Sequence, residues 1–443
     1  MNYFEQGNIH YLTKEYEQAL ECYLKANKEH PNNIVLHHNI GIVLCQLNRA
    51  EEALPYFDLP CSVNYVESWI SRGTALRAVG RYKETLVTFA TAFALDPLHA
   101  TAYSNYGNTL REFGFPNLGI PFLKIAQELK PGDVNYELNE AVCHLMNEDL
   151  IEGWKKYNAR WWYQSDTCFK PQLPGPEYDG TQDINSKVVM VYHEQGFGDN
   201  IQFIRYVKLL QDRGAIVIIV TKPQLLDLFK FNFPSCRVLA SDDTIPPYHY
   251  HVPLMDLPKC FNTTIDTIPH RDPYLTVPDE LKRQWADKLG PKNKKRIGIL
   301  WSPNKVAFIS RFRKIELEQL LSIVDQKFEF ISLSYEVSQQ ALDLLSKYNV
   351  RTFHEDISGF YETAGLISQL DLVISIDTVI PHLSGALGIP TWVMLTDYGC
   401  DWRWFMNRVD SPFYNCLRLF RQQGDGKWDS VLDSIQKELI NLG

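Results

Sequence analysis

Hydrophobic and polar positions along this chain follow two different periods, and the change falls near residue 187. Before it, apolar and small residues recur every three or four positions in blocks separated by short polar turns, the spacing of paired helices. Gly7, Gly41, Gly73 and Gly107 repeat at intervals of 34, 32 and 34 residues, and Ala19, Ala53, Thr85 and Gly119 follow each of them by twelve. In each block the glycine lets a neighbouring helix approach closely, and a tight turn follows at Asn48-Arg49, Gly80-Arg81 or Gly114-Phe115. Tyr23, Phe57, Phe89 and Phe122 are expected to fill the second helix of each pair, and Pro31, Pro97 and Pro131 close three of the units.

A period of about 34 residues built from two helices is that of the tetratricopeptide (TPR) repeat, so about four stacked pairs predict a short α-solenoid with a concave surface. The second unit is two residues short and carries Cys61-Ser62-Val63-Asn64 in place of a proline-ended turn, which predicts a distorted turn there. After Pro131 a divergent fifth pair runs from Glu152-Gly153-Trp154-Lys155-Lys156-Tyr157 to Arg160-Trp161-Trp162-Tyr163. Its aromatic residues suit either a binding platform or, as the plainer alternative, a capping helix docked on the next domain. The solenoid is therefore expected over 1–170, and the proline- and glycine-rich 171–186 reads as a linker.

From Lys187 short apolar runs alternate with helical stretches. Val188–Tyr192 ends at the loop His193-Glu194-Gln195-Gly196-Phe197-Gly198-Asp199, a helical stretch follows, and a second run begins at Ile216. This is the grammar of a parallel sheet. It restarts at Arg296–Trp301 and continues through Phe328–Leu333 and Leu370–Asp377. Two Rossmann-like halves are expected, over 187–290 and 291–443, with the amphipathic helix after Ser430 crossing back to brace the first half.

Composition narrows the function classes. The 443 residues carry a net charge of -9, which disfavours general nucleic-acid binding, and no apolar run reaches the roughly 18 residues of a membrane span. The first residues show neither a basic segment nor an apolar signal region, and the nine cysteines contain no Cys-x-x-Cys pair. A reducing cytoplasm is the expected location.

Two loops carry the candidate chemistry. Gly196-Phe197-Gly198-Asp199 departs from a dinucleotide fingerprint, because Ile201 stands where the third glycine belongs. Gly196 and Gly198, with Gln195, still allow a ligand to lie against the backbone, and Asp199 either faces that ligand or caps the helix. The second loop, Asp377-Thr378-Val379-Ile380-Pro381-His382, opens a helix whose N-terminus suits a diphosphate, and His382 either meets a phosphate or is structural. Asp401-Trp402-Arg403-Trp404 either stacks a nucleobase or fixes the two halves together.

Six segments then carry a resemblance: 193–203, 253–258, 298–302, 370–378, 382–392 and 401–404. In this order, behind a TPR array, they are similar to the bacterial TPR-containing glycosyltransferases related to heptosyltransferases, and the similarity spans essentially the whole chain. It implies a GT-B arrangement, with the acceptor mainly on the first half and a nucleotide-sugar mainly on the second. Residue by residue it implies Asp199 as general base and Asp377, Thr378 and His382 as the donor-binding motif. Trp301, Ser302 and Lys305 fall in the loop beside the donor phosphates, where Trp301-Ser302-Pro303-Asn304-Lys305 departs from the usual Trp-Ala-Gly-Asn. Arg311 and Arg313 approximate an arginine pair, and Ser334 replaces a common glutamine.

The reaction this implies is displacement of a nucleoside diphosphate from a sugar's anomeric carbon by a protein or glycan hydroxyl, with the TPR surface recruiting the acceptor or a partner. No Asp-x-Asp metal clamp occurs in the sequence, so no metal or other cofactor is expected, and a direct displacement inverts the anomeric centre. Two alternatives accompany this reading. One is a catalytically inactive, glycosyltransferase-like TPR scaffold, which the altered donor loop favours. The other is a nucleotide-sugar epimerase, which needs further acid/base groups such as His193 and Glu194 near Asp199.

Overall fold

The computed structural model describes residues 2–163, 170–269, 271–302, 313–424 and 426–442. The chain divides into two compact units, Met1–Asn147 and Glu148–Gly443.

The first unit is a stack of helical pairs: α1 (Tyr3–Leu12) with α2 (Tyr16–Glu29), α3 (Ile34–Gln46) with α4 (Ala50–Ser62), α5 (Val66–Ala78) with α6 (Tyr82–Leu95), and α7 (Ala100–Glu112) with α8 (Pro116–Leu129), followed by α9 (Val134–Met146). The repeated glycines are where paired helices meet. A Cβ added at Gly7, Gly41 or Gly73 would lie 2.5 Å from the ring of Tyr23, Phe57 or Phe89. In the fourth pair the equivalent large residue is the fully buried Leu123, while Phe122, expected in that place, is only half-buried. It packs instead on Tyr106 at 4.5 Å between ring centroids. The sixteen-residue offset from the glycine, which crosses the turn between the paired helices, selects 123 and leaves 122 off the shared face.

Each pair turns through one left-handed residue, at Lys14 (φ 63°), Asn48 (60°), Gly80 (80°) and Gly114 (92°). Glu148 (65°) continues this spacing after α9, so the fifth turn keeps the repeat geometry although its sequence diverges. At the expected irregularity, α4 ends at Ser62 and the left-handed Asn64 (57°) makes the turn that proline-ended segments make elsewhere.

The second unit opens with α10 (Leu150–Lys156) and a 3-10 turn over Tyr157–Trp162. The boundary thus falls at Asn147/Glu148, not after residue 170, because this aromatic segment is packed with the α/β region. Trp161 lies on the core of the first sheet with Met190, Tyr192, Ile218 and Val220. That sheet is wholly parallel, ordered β3-β2-β1-β4, with β1 (Val188–Tyr192), β2 (Ile216–Thr221), β3 (Arg237–Ala240) and β4 (Tyr250–Pro253). Its connections carry α11 (Phe197–Phe203), α12 (Val207–Asp212) and α13 (Leu226–Asn232), and α14 (Leu257–Cys260) and α15 (Asp279–Leu289) lead onward.

The second sheet is mixed, ordered β6-β5-β7-β8-β10-β9, where only β9 (Asp410–Ser411) pairs antiparallel, with β10 (Tyr414–Arg421). Its other strands are β5 (Arg296–Leu300), β6 (Glu329–Ser332), β7 (Leu372–Ile376) and β8 (Thr391–Leu395). The helices are α16 (Leu317–Leu320), α17 (Gln339–Lys347), α18 (Phe360–Ile367), α19 (Val379–Ala386) and α20 (Asp429–Leu442). Helix α20, expected to brace the first half, packs on the second. Its apolar face of Val431, Leu432, Ile435 and Leu439 joins the core of Ile323, Phe328 and Phe330, and Gln436 donates to the Ser322 carbonyl at 2.8 Å. A spacing of three and four residues gives one apolar stripe, and this is the core it completes.

Candidate active site

The two loops lie at the carboxyl ends of β1 and β7, where each strand hands over to a helix. After β1, Gln195 takes a left-handed φ of 53° and α11 starts at Phe197. Asp199 in its first turn accepts the Gly196 N–H at 2.7 Å, so it does cap the helix. Its other oxygen pairs with the Arg403 guanidinium. Of the two alternatives left by the sequence, the helix cap is present, and the same carboxylate also holds an arginine of the second half.

After β7, Asp377 is followed by Thr378, whose hydroxyl accepts the Ile380 N–H at 3.3 Å and caps α19. Arg313 lies 2.9 Å from Asp377 and 3.9 Å from Asp401. Arg403 in turn donates to Asp401 at 2.9 Å and to Gln202 at 2.8 Å. Asp199, Arg403, Asp401, Arg313 and Asp377 therefore form one continuous chain of ion pairs, three carboxylates to two guanidiniums, linking a helix of the first sheet to the end of β7 in the second. Burial raises the Asp377 pKa against the pull of Arg313. At Asp401 burial acts in the same direction but Arg403 and Arg313 outweigh it, taking the carboxyl down to about 2. Burial works against the charge of both arginines, and the carboxylates outweigh it, Asp199 and Asp401 at Arg403 and Asp377 and Asp401 at Arg313.

His382 falls to the structural alternative. It is 5% exposed, its Nδ1 lies 2.9 Å from the Tyr414 hydroxyl, and its ring stacks on Trp404 at 5.3 Å. Burial, then the Arg403 charge, push its pKa down to about 3, so the ring is neutral at pH 7. A Cβ at Gly198 would lie 2.8 Å from the His382 ring, so that glycine admits α19 against α11. Gly196 is exposed, and Gln195 reaches the Tyr157 hydroxyl at 3.4 Å.

Trp301 belongs to the core of the second sheet with Ile315 and Ile374, so its ring does not line the donor loop. Ser302 is half-buried beside it. Lys305 and Arg311 lie outside the described residues. Glu194, a possible acid/base group for an epimerase, is committed elsewhere: Arg160 donates to both its oxygens at 2.8 Å and to Asp256 at 2.7 Å. His193 is held neutral by burial and by Lys222. Among the described residues no group of three or more His, Cys, Asp or Glu side chains is placed to hold a metal ion.

Sequence reasoning left Arg403 open and missed Arg160 altogether. A signal existed for the latter: an arginine flanked by Tyr157 and Trp161, whose rings cover its guanidinium, is headed for burial, and a buried guanidinium needs a carboxylate.

Residues 2–33 match the tetratricopeptide repeat family. With the helical pairs, their turns and their glycine contacts, this decides the first unit. It is a TPR solenoid. Protein FlbA of Caulobacter vibrioides is 23% identical over 468 residues, covering 98% of this chain and 77% of that one. DnaJ homolog subfamily C member 7 of Mus musculus is 32% identical over 108 residues, covering 24% of this chain and 22% of its own length. Among solved structures, MamA from Desulfovibrio magneticus RS-1 is 20% identical over 35% of this chain and 89% of that one, with a TM-score of 0.33. YrrB, described as a TPR protein with an unusual peptide-binding site, is 20% identical over 37% of this chain and 86% of its own, with a TM-score of 0.31. Behind the solenoid stands an α/β region with one parallel and one mixed sheet.

Proposed function

We propose that the α/β region is a nucleotide-sugar-dependent glycosyltransferase in a GT-B arrangement and that the TPR solenoid recruits a protein partner or the protein or glycan acceptor. The observation that carries this reading is the ion-pair chain from Asp199 to Asp377. It joins the carboxyl ends of β1 and β7, the edge at which α/β sheets bind ligands. The fold-level part of the argument is analogy, and the assignment of roles rests on this cluster.

In the reaction so read, an acceptor hydroxyl oxygen attacks the anomeric carbon as its proton passes to Asp199. The bond from that carbon to the nucleoside diphosphate breaks, and its electron pair leaves with the diphosphate. Arg313, the N-terminus of α19 and, from the sequence, Lys305 and Arg311 meet the departing charge. No metal has a part in this scheme, and the anomeric centre inverts.

A second reading is favoured by one feature of the same cluster. Arg313 and Arg403 are already matched by carboxylates, so a diphosphate must displace those partners, and an inactive TPR scaffold would need no such exchange. Calorimetric titration of the full chain with UDP-, GDP-, ADP- and CMP-linked sugars, with and without Asp377→Ala, separates the two. Binding of one donor that the substitution removes supports the transferase; no binding to any of them overturns it in favour of the scaffold.

A further inference from the structure

The segment from Glu148 to Trp162, most of which the sequence read as a binding platform or a capping helix, touches both halves of the α/β region at the point where the ion-pair chain crosses between them. Trp154 is 3% exposed. Its ring meets Phe203, at the end of α11, edge-on at 5.4 Å, and meets Trp402, beside β9 in the second half, edge-on at 5.2 Å. Phe203 and Trp402 are themselves 6.5 Å apart and nearly parallel, so the indole of Trp154 closes a three-ring cluster made by both halves.

Arg403 lies against that cluster. Its guanidinium stands 4.2 Å from the Trp402 ring centroid and 5.9 Å from that of Phe203. The arginine that pairs with Asp199 is thus fixed by charge on one side and by two aromatic rings on the other, and Trp154 fixes those rings. The segment is anchored at both ends of its course. Glu148 receives Arg408 of the second half at 3.2 Å on both oxygens, and Arg160 grips Glu194 and Asp256 of the first. The fork of Arg160 lies 4.3 Å from the Trp161 ring and is buried with Glu194 and Asp256, whereas the Glu148–Arg408 pair is partly exposed.

We propose that Glu148–Trp162 is a strap that holds the two α/β halves in one relation, and that Trp154 within it is a positioning residue for the Arg403–Asp199 pair. This rests on the transferase reading only in treating Asp199 and Arg403 as members of the reaction centre; the mechanical part stands without it. Removing the indole leaves Phe203 and Trp402 without their common neighbour, so α11 and the Trp402–Trp404 turn loosen together while the strands behind them keep their protection. A ring that merely fills a core would loosen one side, or everything.

Hydrogen exchange on the full chain, read by mass spectrometry without any ligand, tests this. In Trp154→Ala, amides of 200–206 and of 401–405 are expected to exchange about tenfold faster or more, while 188–192 and 372–376 stay as in the wild type. Trp154→Phe, which keeps an aromatic edge between the two rings, is expected to recover most of the protection. If the alanine variant unfolds throughout, the phenylalanine variant decides, with a smaller acceleration confined to the same two segments. Acceleration of only one segment, or of neither, overturns the proposal. Titrating the same variants with the donor that the wild type binds reads the consequence separately: a chain that binds no nucleotide-sugar sinks the transferase reading and leaves the exchange result to judge the strap.

Discussion

Arg403 and Asp199 are 204 residues apart in sequence and form a direct ion pair in which the arginine also donates to Asp401 and Gln202. The pair is largely shielded from water, with side-chain exposures of 8% for Arg403 and 16% for Asp199. One consequence is energetic. Deleting one member of a buried pair costs up to about 3–5 kcal/mol where the other is left uncompensated, and less here because Arg403 keeps Asp401, whereas deleting both costs less than the sum. Arg403→Ala, Asp199→Ala and the double variant, compared by urea unfolding of the α/β transition, are expected to show that coupling. Simple additivity would mean that the two side chains do not sense each other.

If the transferase reading holds, Asp199→Asn keeps the charge-free shape of the carboxylate and its acceptance of the Gly196 N–H but loses the base. Donor affinity is expected to change little and turnover to fall by about a hundredfold to ten-thousandfold, the usual worth of a positioned base. A variant that transfers sugar at the wild-type rate removes Asp199 from the chemistry.

His382 gives the protein a pH dependence. Its pKa falls from 6.5 to about 3 on folding, so below pH 6.5 the unfolded chain binds a proton that the folded one refuses. Stability is therefore full above that value and declines as the pH drops from 6.5 toward 3, by up to about 1.4 kcal/mol per pH unit from this group. His382→Gln, which can still hydrogen-bond Tyr414, is expected to flatten the slope of Tm against pH over this range. An unchanged slope would place the acid sensitivity between pH 6.5 and 4 in other groups, since the Asp401 contribution is lost only as the pH falls from about 4 to about 2.

In the solenoid, a methyl group at Gly41 has no room, because it would meet the buried Phe57 ring at 2.5 Å. Gly41→Ala is expected to destabilise the repeat unit by about 1–3 kcal/mol, the range of core overpacking, and adding Phe57→Leu to restore part of the loss. Thermal unfolding by circular dichroism at 222 nm reads both. An equal or larger loss in the double variant would show that the two helices are not limited by this contact.

Much of the fold could be read along the chain because it rests on short-range periodicity. The glycine spacing named the helical pairs, and the apolar runs at Val188, Ile216, Arg296 and Leu372 named strands that the structure forms. The errors share one origin. Phe122 and helix α20 were each recognised as apolar surfaces that needed covering, but a stripe of apolar residues does not say which neighbour covers it. The site divides in the same way. The sequence placed Asp199, Asp377 and Thr378 just after strands, where the structure has them, but not the groups they meet there.

What the sequence by itself determined is therefore local: repeat length, turn positions, and the order of strands and helices. These depend on interactions within a few residues or one repeat. Which charges meet was decided by the tertiary structure alone. The Asp199–Arg403 pair, the burial that neutralises His382, the grip of Arg160 on Glu194 and the wedge of Trp154 between Phe203 and Trp402 all join segments remote in sequence, and electrostatic energy and ring packing depend on distance in space, which no spacing along the chain encodes.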